Sequence, residues 1–146
     1  MIRPLAICLF SRGDQILVAE GFDPVKDETF YRPLGGAIEF GERAVQTLAR
    51  ELSEEIGEQV ADLRYLTTLE NLFTFNGRPG HEIVLVYDGR FVDPQVYERP
   101  VLNGREHDGI AFRAFWKALT EFGPAAPLYP DGLLDLLARR DPGDVT

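Results

Sequence analysis

The sequence predicts helices covering a β-sheet, an α+β or α/β arrangement in one domain over residues 1–146, and three observations carry that expectation. Short apolar runs with strand-like character recur along most of the chain. An amphipathic helix interrupts them between Gly36 and Glu58, and a second follows from Asp131 to Arg140. Strands interspersed with two such helices bury their apolar faces by stacking the helices on a mixed sheet.

Taken in order, Ile2 to Phe10 is an apolar strand, Ser11-Arg12-Gly13-Asp14 a turn, and Gln15 to Ala19 a returning strand, so the chain should open on a hairpin. Gly21 to Glu28 collects a glycine, a proline and several charges and predicts a loop. Thr29 to Arg32 is a short extended piece, because Pro33 keeps Arg32 out of the helical region. Gly35 and Gly36 predict a tight turn close to a ligand, with Ala37 to Phe40 as a short strand before the first helix. Gly57 predicts that helix's C-terminal cap. Leu63 to Phe75 and Glu82 to Val92 flank the turn signal Asn76-Gly77-Arg78-Pro79-Gly80 and predict an antiparallel pair. Asp93 to Asp108, polar and with two prolines, predicts a long functional loop before a last strand from Ile110 to Lys117. Pro124 to Pro130 is a connection. The closing helix turns Leu133, Leu134, Leu136 and Leu137 to the core and places Arg139 and Arg140 where a helix end favours cations.

A chain of this length buries roughly two thirds of its unfolded surface as one core, and 45% hydrophobic with 11% aromatic residues sets it apart from a disordered chain. Twenty-four acids against 15 bases leave a net charge of −9, which disfavours nucleic acid and anionic membrane as partners. A phosphorylated small molecule stays open, because bound metal ions reverse the local sign. The single cysteine, Cys8, lies in the apolar run Leu5–Phe10 and predicts a core residue in a reducing cytoplasm. The short opening apolar run predicts no signal peptide. No apolar run approaches the ~20 residues that span a bilayer.

The first helix carries the chemistry. Val45, Leu48, Ala49, Leu52 and Ile56 recur at helical spacing as one apolar stripe, while Glu51, Glu54 and Glu55 share another face at i, i+3 and i+4. Like charges at that spacing repel, and a divalent cation offsets the repulsion; Mg²⁺ takes carboxylates, waters and substrate phosphates. A solvated acidic face is the bland alternative. Against it stands the pattern formed by Gly36, Glu42, Arg50, Glu51, Glu54, Glu55 and Gly57. Seven specified residues at background frequencies should coincide on the order of once in 10⁵ chains of this length.

This pattern resembles the Nudix box, the signature of the Nudix hydrolases, with Leu52 as its aliphatic residue and Glu58 where the box usually has another. The resemblance implies an α+β Nudix-type fold, an α/β/α sandwich with a mixed β-sheet, and hydrolysis of a pyrophosphate bond by metal-activated water. It implies Mg²⁺, with Mn²⁺ as a substitute, held by Glu51, Glu54, Glu55 and the carbonyl of Gly35. It gives Gly36, Glu42, Arg50 and Gly57 structural roles in the box, with Glu42 and Arg50 bracing loop against helix. A further carboxylate outside the box is expected as general base or extra ligand. Glu106 is the first choice, with Glu82 and Asp108 as alternatives and Glu51 itself as another base.

The substrate expected is a small nucleotide, either a nucleoside diphosphate linked to another moiety (a nucleotide sugar or an ADP-ribose-like compound) or a nucleoside triphosphate. Arg32 and Arg78 are candidate phosphate contacts, and Phe73, Phe75, Tyr31 and Trp116 are candidate base-stacking residues, with core packing as their bland reading. Glu82 joins this substrate set. His81 and His107 make no metal motif and read as loop residues. The region Phe73-Thr74-Phe75-Asn76 matches neither the ADP-ribose nor the dinucleoside polyphosphate subgroup, and the long motif of the NADH group is absent. Arg32-Pro33-Leu34-Gly35-Gly36 carries one residue more between proline and glycines than the commoner turn. The alternative function is a catalytically silent Nudix domain that senses a nucleotide or serves as an interaction module. A homodimer is common in the family.

Overall fold

The computed structural model describes residues 1–140. Its elements are β1 (Ile2–Leu9), β2 (Ser11–Arg12), β3 (Gln15–Asp23), β4 (Glu28–Arg32), β5 (Leu34–Ala37), α1 (Ala44–Ile56), β6 (Val60–Phe75), β7 (Arg78–Phe91), β8 (Val101–Arg105), β9 (Ala111–Ala118) and α2 (Leu133–Arg139). The strands form a mixed sheet in the order β5-β1-β7-β6 and an antiparallel sheet in the order β2-β3-β9-β8, with β4 also paired to β3. The β1–β7 pairing is parallel, from Ile2 opposite His81 to Leu9 opposite Asp88.

Alternation along β1 explains the layering. Ala6 and Cys8, with Phe10 just past the strand's end, enter one core with Leu48 and Leu52 of α1. Ile7 and Leu9 enter the other with Leu133 and Leu137 of α2. A strand apolar on both faces is buried on both, here between one helix and the other. The result is the helix–sheet–helix order expected from the resemblance. Cys8 is fully buried, and that burial pushes its thiol far above the usual range. No described helix is long and apolar enough to cross a membrane.

Several sequence expectations need correction. The opening hairpin does not form: β1 pairs with β5 and β7, β3 with β4 and β9, and only the two-residue β2 folds back on β3. Both edges of β1 and of β3 are already taken. Gly35 and Gly36 do not make a turn; they sit in β5 opposite Ile7 and Ala6, while Ile38 to Phe40 is irregular. A Cβ at Gly35 would stand 2.0 Å from the Ala6 carbonyl oxygen, so glycine permits the close strand approach. The expected loop after Asp93 contains a 3₁₀ turn (Pro94–Glu98) and β8, whose Leu102 and Gly104 point inward between exposed Val101, Asn103 and Arg105. The β6–β7 hairpin forms as expected, with Asn76 and Gly77 both at positive φ as a tight two-residue turn requires.

Candidate active site

The α1 helix starts where Gln46 Oε1 accepts the backbone N–H of Arg43 at 2.8 Å, and ends at Gly57 in the left-handed conformation (φ 71°), whose N–H reaches Ser53 O. Its buried face is Ala44, Thr47, Leu48, Glu51 and Leu52. The predicted stripe is therefore rotated: Val45 and Ala49 are exposed, and Glu51, assigned to the polar face, is 2% exposed. Room for it comes from β5, since a Cβ on Gly36 would stand 2.5 Å from Cδ of Glu51.

Arg50 organises the surrounding charge. Its Nε and Nη2 donate to the two oxygens of Glu42 at 2.8 and 2.9 Å, Nη2 also to the Ala37 carbonyl at 3.2 Å, and Nη1 to Glu51 Oε1 at 2.7 Å. Glu42 further accepts the Thr47 hydroxyl at 2.6 Å and the Glu39 N–H at 3.2 Å. The loop before α1 is thus clamped to the helix by a two-pronged ion pair. Hydrogen bonds from Arg50, then Thr47, hold the Glu42 carboxyl down at about 2.

Beside the clamp, carboxylates crowd. Burial opposes the charge on Glu51, but hydrogen bonds with Glu55, His107 and Arg50 outweigh it and hold its carboxyl below the ordinary range. Glu55 is pushed up to about 9, first by burial, then by the Glu51 carboxylate beside it, with Glu106 adding in the same sense and Arg32 against it. Among the described residues, Oε2 of Glu51 is buried without a donor. A proton shared with Glu55 or a bound cation satisfies it.

The late loop closes one side. Arg32 Nη2 donates to Glu106 Oε1 at 2.8 Å, and His107 Nε2 lies 3.1 Å from Glu51 Oε1 and 3.8 Å from Glu54 Oε2. Donor atoms of Glu51, Glu54 and His107 all lie within 4.8 Å of one another. Contact with Glu51 raises the His107 imidazole above its ordinary value. Asp108 instead accepts the Ile110 N–H, closing the loop on itself.

Glu51, Glu54, Glu55, Glu106, Arg32, Gly36, Glu42 and Arg50 therefore share one region, with Gly35 in the adjoining strand. The other candidates lie elsewhere. A cavity of about 530 Å³ runs from Glu54 and Glu55 to Arg105 and Arg113. Phe73, Phe75, Arg78 and Glu82 line a separate one of about 240 Å³ with Arg3 and His81. There Glu82 faces Arg3 at 4.0 Å and Asn71 at 3.4 Å. Tyr31 packs edge-on to Phe115 and Phe122, and Trp116 is buried, donating to the Arg99 carbonyl. His107 is the residue sequence reasoning missed: nothing local distinguishes it, and only the fold brings it 56 positions back to Glu51.

The chain matches the family model described as NUDIX domain over residues 1–135. Curated relatives include a protein named NAD-capped RNA hydrolase NudC from Pseudomonas aeruginosa, 30% identical over 95 residues, which is 65% of this chain and 31% of that protein. A NudC of the same name from Photobacterium profundum is 35% identical over 75 residues, 51% of this chain and 27% of that one. The chain thus spans less than a third of the length of these relatives. Among solved structures, one titled UDP-X diphosphatase superposes with a TM-score of 0.64 at 14% identity, over 94% of this chain and 62% of that one. A NUDIX hydrolase from Nitrosomonas europaea gives 0.58 at 20% identity, over 83% and 75%. At these identities the two structures speak for the fold.

Proposed function

The chain belongs to the NUDIX family, and from that premise we propose that it is a pyrophosphohydrolase dependent on a divalent cation. The observation that carries this reading is the donorless, buried Oε2 of Glu51 among the carboxylates of one helix, facing a strand of glycines. Such an arrangement is costly unless a shared proton or a cation compensates it, and a cation can serve all the carboxylates of the group at once. The donor set is mainly carboxylate oxygen, which suits Mg²⁺, with Mn²⁺ as a substitute. Glu51, Glu54 and Glu55 would hold the ion together with the Gly35 carbonyl. A bound divalent cation supplies charge neutralisation on phosphate oxygens and acidifies a water.

The protein's own groups do the rest. Arg50 keeps Glu51 ionised and aimed, and Glu42 keeps Arg50 in place. We assign Glu106 to take a proton from the attacking water; this reading is supported by its position outside the helix, paired with Arg32, with its charge acting on Glu55. Arg32, paired with Glu106, orients that loop and offers donors to a phosphate.

The substrate class favoured is a small nucleoside diphosphate linked to another moiety. Curated relatives named for hydrolysis of NAD-capped RNA support it, because NAD is such a compound. The net charge of −9 argues against gripping the body of an RNA, so the small molecule is preferred to the capped transcript. Release of mononucleotide should be measured for ADP-ribose, nucleotide sugars, NAD, NAD-capped RNA and nucleoside triphosphates, with and without Mg²⁺. Metal-dependent cleavage of the linked diphosphates supports the proposal; cleavage of triphosphates alone overturns the substrate class. Silence throughout, with nucleotide still raising Tm, favours a sensor.

A further inference from the structure

His107 belongs to no element of the box, yet its ring is aimed at the box carboxylates. The turn that carries it is tightly built. Glu106 N–H donates to Ile110 O at 2.9 Å, Gly109 N–H to Glu106 O at 2.9 Å, and Arg105 Nη1 to Gly109 O at 2.9 Å. The Arg32–Glu106 pair ties the same turn to the end of β4. The ring is 66% exposed, so apolar packing does not explain its direction. Its polar neighbours are Glu51 at 3.1 Å and Glu54 at 3.8 Å. Glu51 is 2% exposed, and its second oxygen has no donor. Arg50 Nη1 holds the Oε1 atom that faces His107 at 2.7 Å and stands 3.5 Å from Glu54 Oε2, which leaves Oε2 of Glu51 as the oxygen open to a cation. Ligand atoms of Glu51, Glu54 and His107 lie within 4.8 Å of one another, a set of three donors to one ion.

We infer that His107 is a direct ligand of the divalent ion, making the site a mixed nitrogen–oxygen one whose affinity for Mn²⁺ relative to Mg²⁺ is higher than the carboxylates alone would give. The inference rests on the metal-dependent reading above. Mg²⁺ takes oxygen ligands in near-ideal octahedra and gains little from imidazole, whereas transition ions accept it readily. A ligand from the late loop also ties that loop, with Glu106 on it, to the metal.

The competing explanation is that His107 is only a positive partner for Glu51, which an incoming ion would displace. Titration calorimetry of the intact protein with Mn²⁺ and with Mg²⁺, repeated on His107→Ala and His107→Gln, separates the two. A ligand predicts that the Mn²⁺-to-Mg²⁺ affinity ratio falls about tenfold or more in both variants. A displaced cation predicts an unchanged ratio, with both ions binding equally well or better. Pulsed electron paramagnetic resonance of the Mn²⁺-loaded protein reads the bond directly. Imidazole nitrogen coupling should be present in the wild type and in His81→Ala, and lost in His107→Ala. Mn²⁺ bound without nitrogen coupling overturns the inference and leaves the hydrolase reading standing. Failure of the wild type to bind either ion overturns both.

Discussion

Gly36 and Glu51 share one space: the hydrogen at Gly36 is what lets the Glu51 carboxylate lie against β5, since a methyl there would meet Cδ at 2.5 Å. Gly35 is constrained differently, by the Ala6 carbonyl of β1 at 2.0 Å from the same hypothetical carbon. The two alanine substitutions should separate. Gly35→Ala forces strands apart and should lower stability by about 1–3 kcal/mol, the usual range for overpacking. Gly36→Ala should displace Glu51 and weaken metal binding more than it lowers Tm. Denaturant melts and metal titrations on both variants check this, and equal metal affinity in Gly36→Ala and wild type would refute it.

Glu54→Gln keeps the shape of an exposed side chain while removing one charge from the proposed metal ligands. Activity should drop by more than about 100-fold, beyond what changes to groups behind the ligands commonly cost. Tm should stay close to wild type. Near-normal turnover at saturating Mg²⁺ would remove Glu54 from the ligand set.

The Glu42–Arg50 clamp sets an acid limit. Glu42 titrates at about 2 in the folded protein against an ordinary 4.5, so its contribution is fully present above 4.5 and is lost as pH falls through 2. Thermal melts across that window should show a decline in the wild type that is shallower in Glu42→Gln. Parallel curves would show that the clamp does not govern acid stability.

Glu55 works in the opposite sense. Its carboxyl is raised to about 9 from 4.5, so without metal its contribution is complete below 4.5 and fades as pH rises through 9. A cation binds the ionised form and should raise Tm more at about pH 9 than at about pH 6. In Glu55→Gln that pH dependence should shrink, as scanning calorimetry with and without Mg²⁺ would report.

What could be read from the sequence was what local rules encode. Gly57 as a cap, Asn76-Gly77 as a hairpin turn and the leucines of α2 all depend on neighbours within a few residues. Glu51 as a buried residue was not legible, because a helical wheel places a charge outside unless its partners are known, and Arg50, Gly36 and His107 become partners only in three dimensions. Strand β8 was hidden by Asn103 and Gly104, poor strand formers whose pairing with β9 overrides propensity. Glu82, Phe73 and Phe75 were grouped with the substrate by residue type, and the β6–β7 hairpin carries them to a different cavity.

The parallel pairing of β1 with β7 closes a loop of about 80 residues, a costly and slow step compared with forming a hairpin. β5, with its two glycines, lies on the other edge of β1. The α1 helix is thus complete early in the chain, but the strand it faces is held in a sheet that closes only when residues up to Phe91 join it. Refolding should therefore return catalytic turnover and the fluorescence of buried Trp116 at a single rate, with no faster-forming active species. In a nascent chain, the centre has no working geometry until both halves of the sheet have emerged.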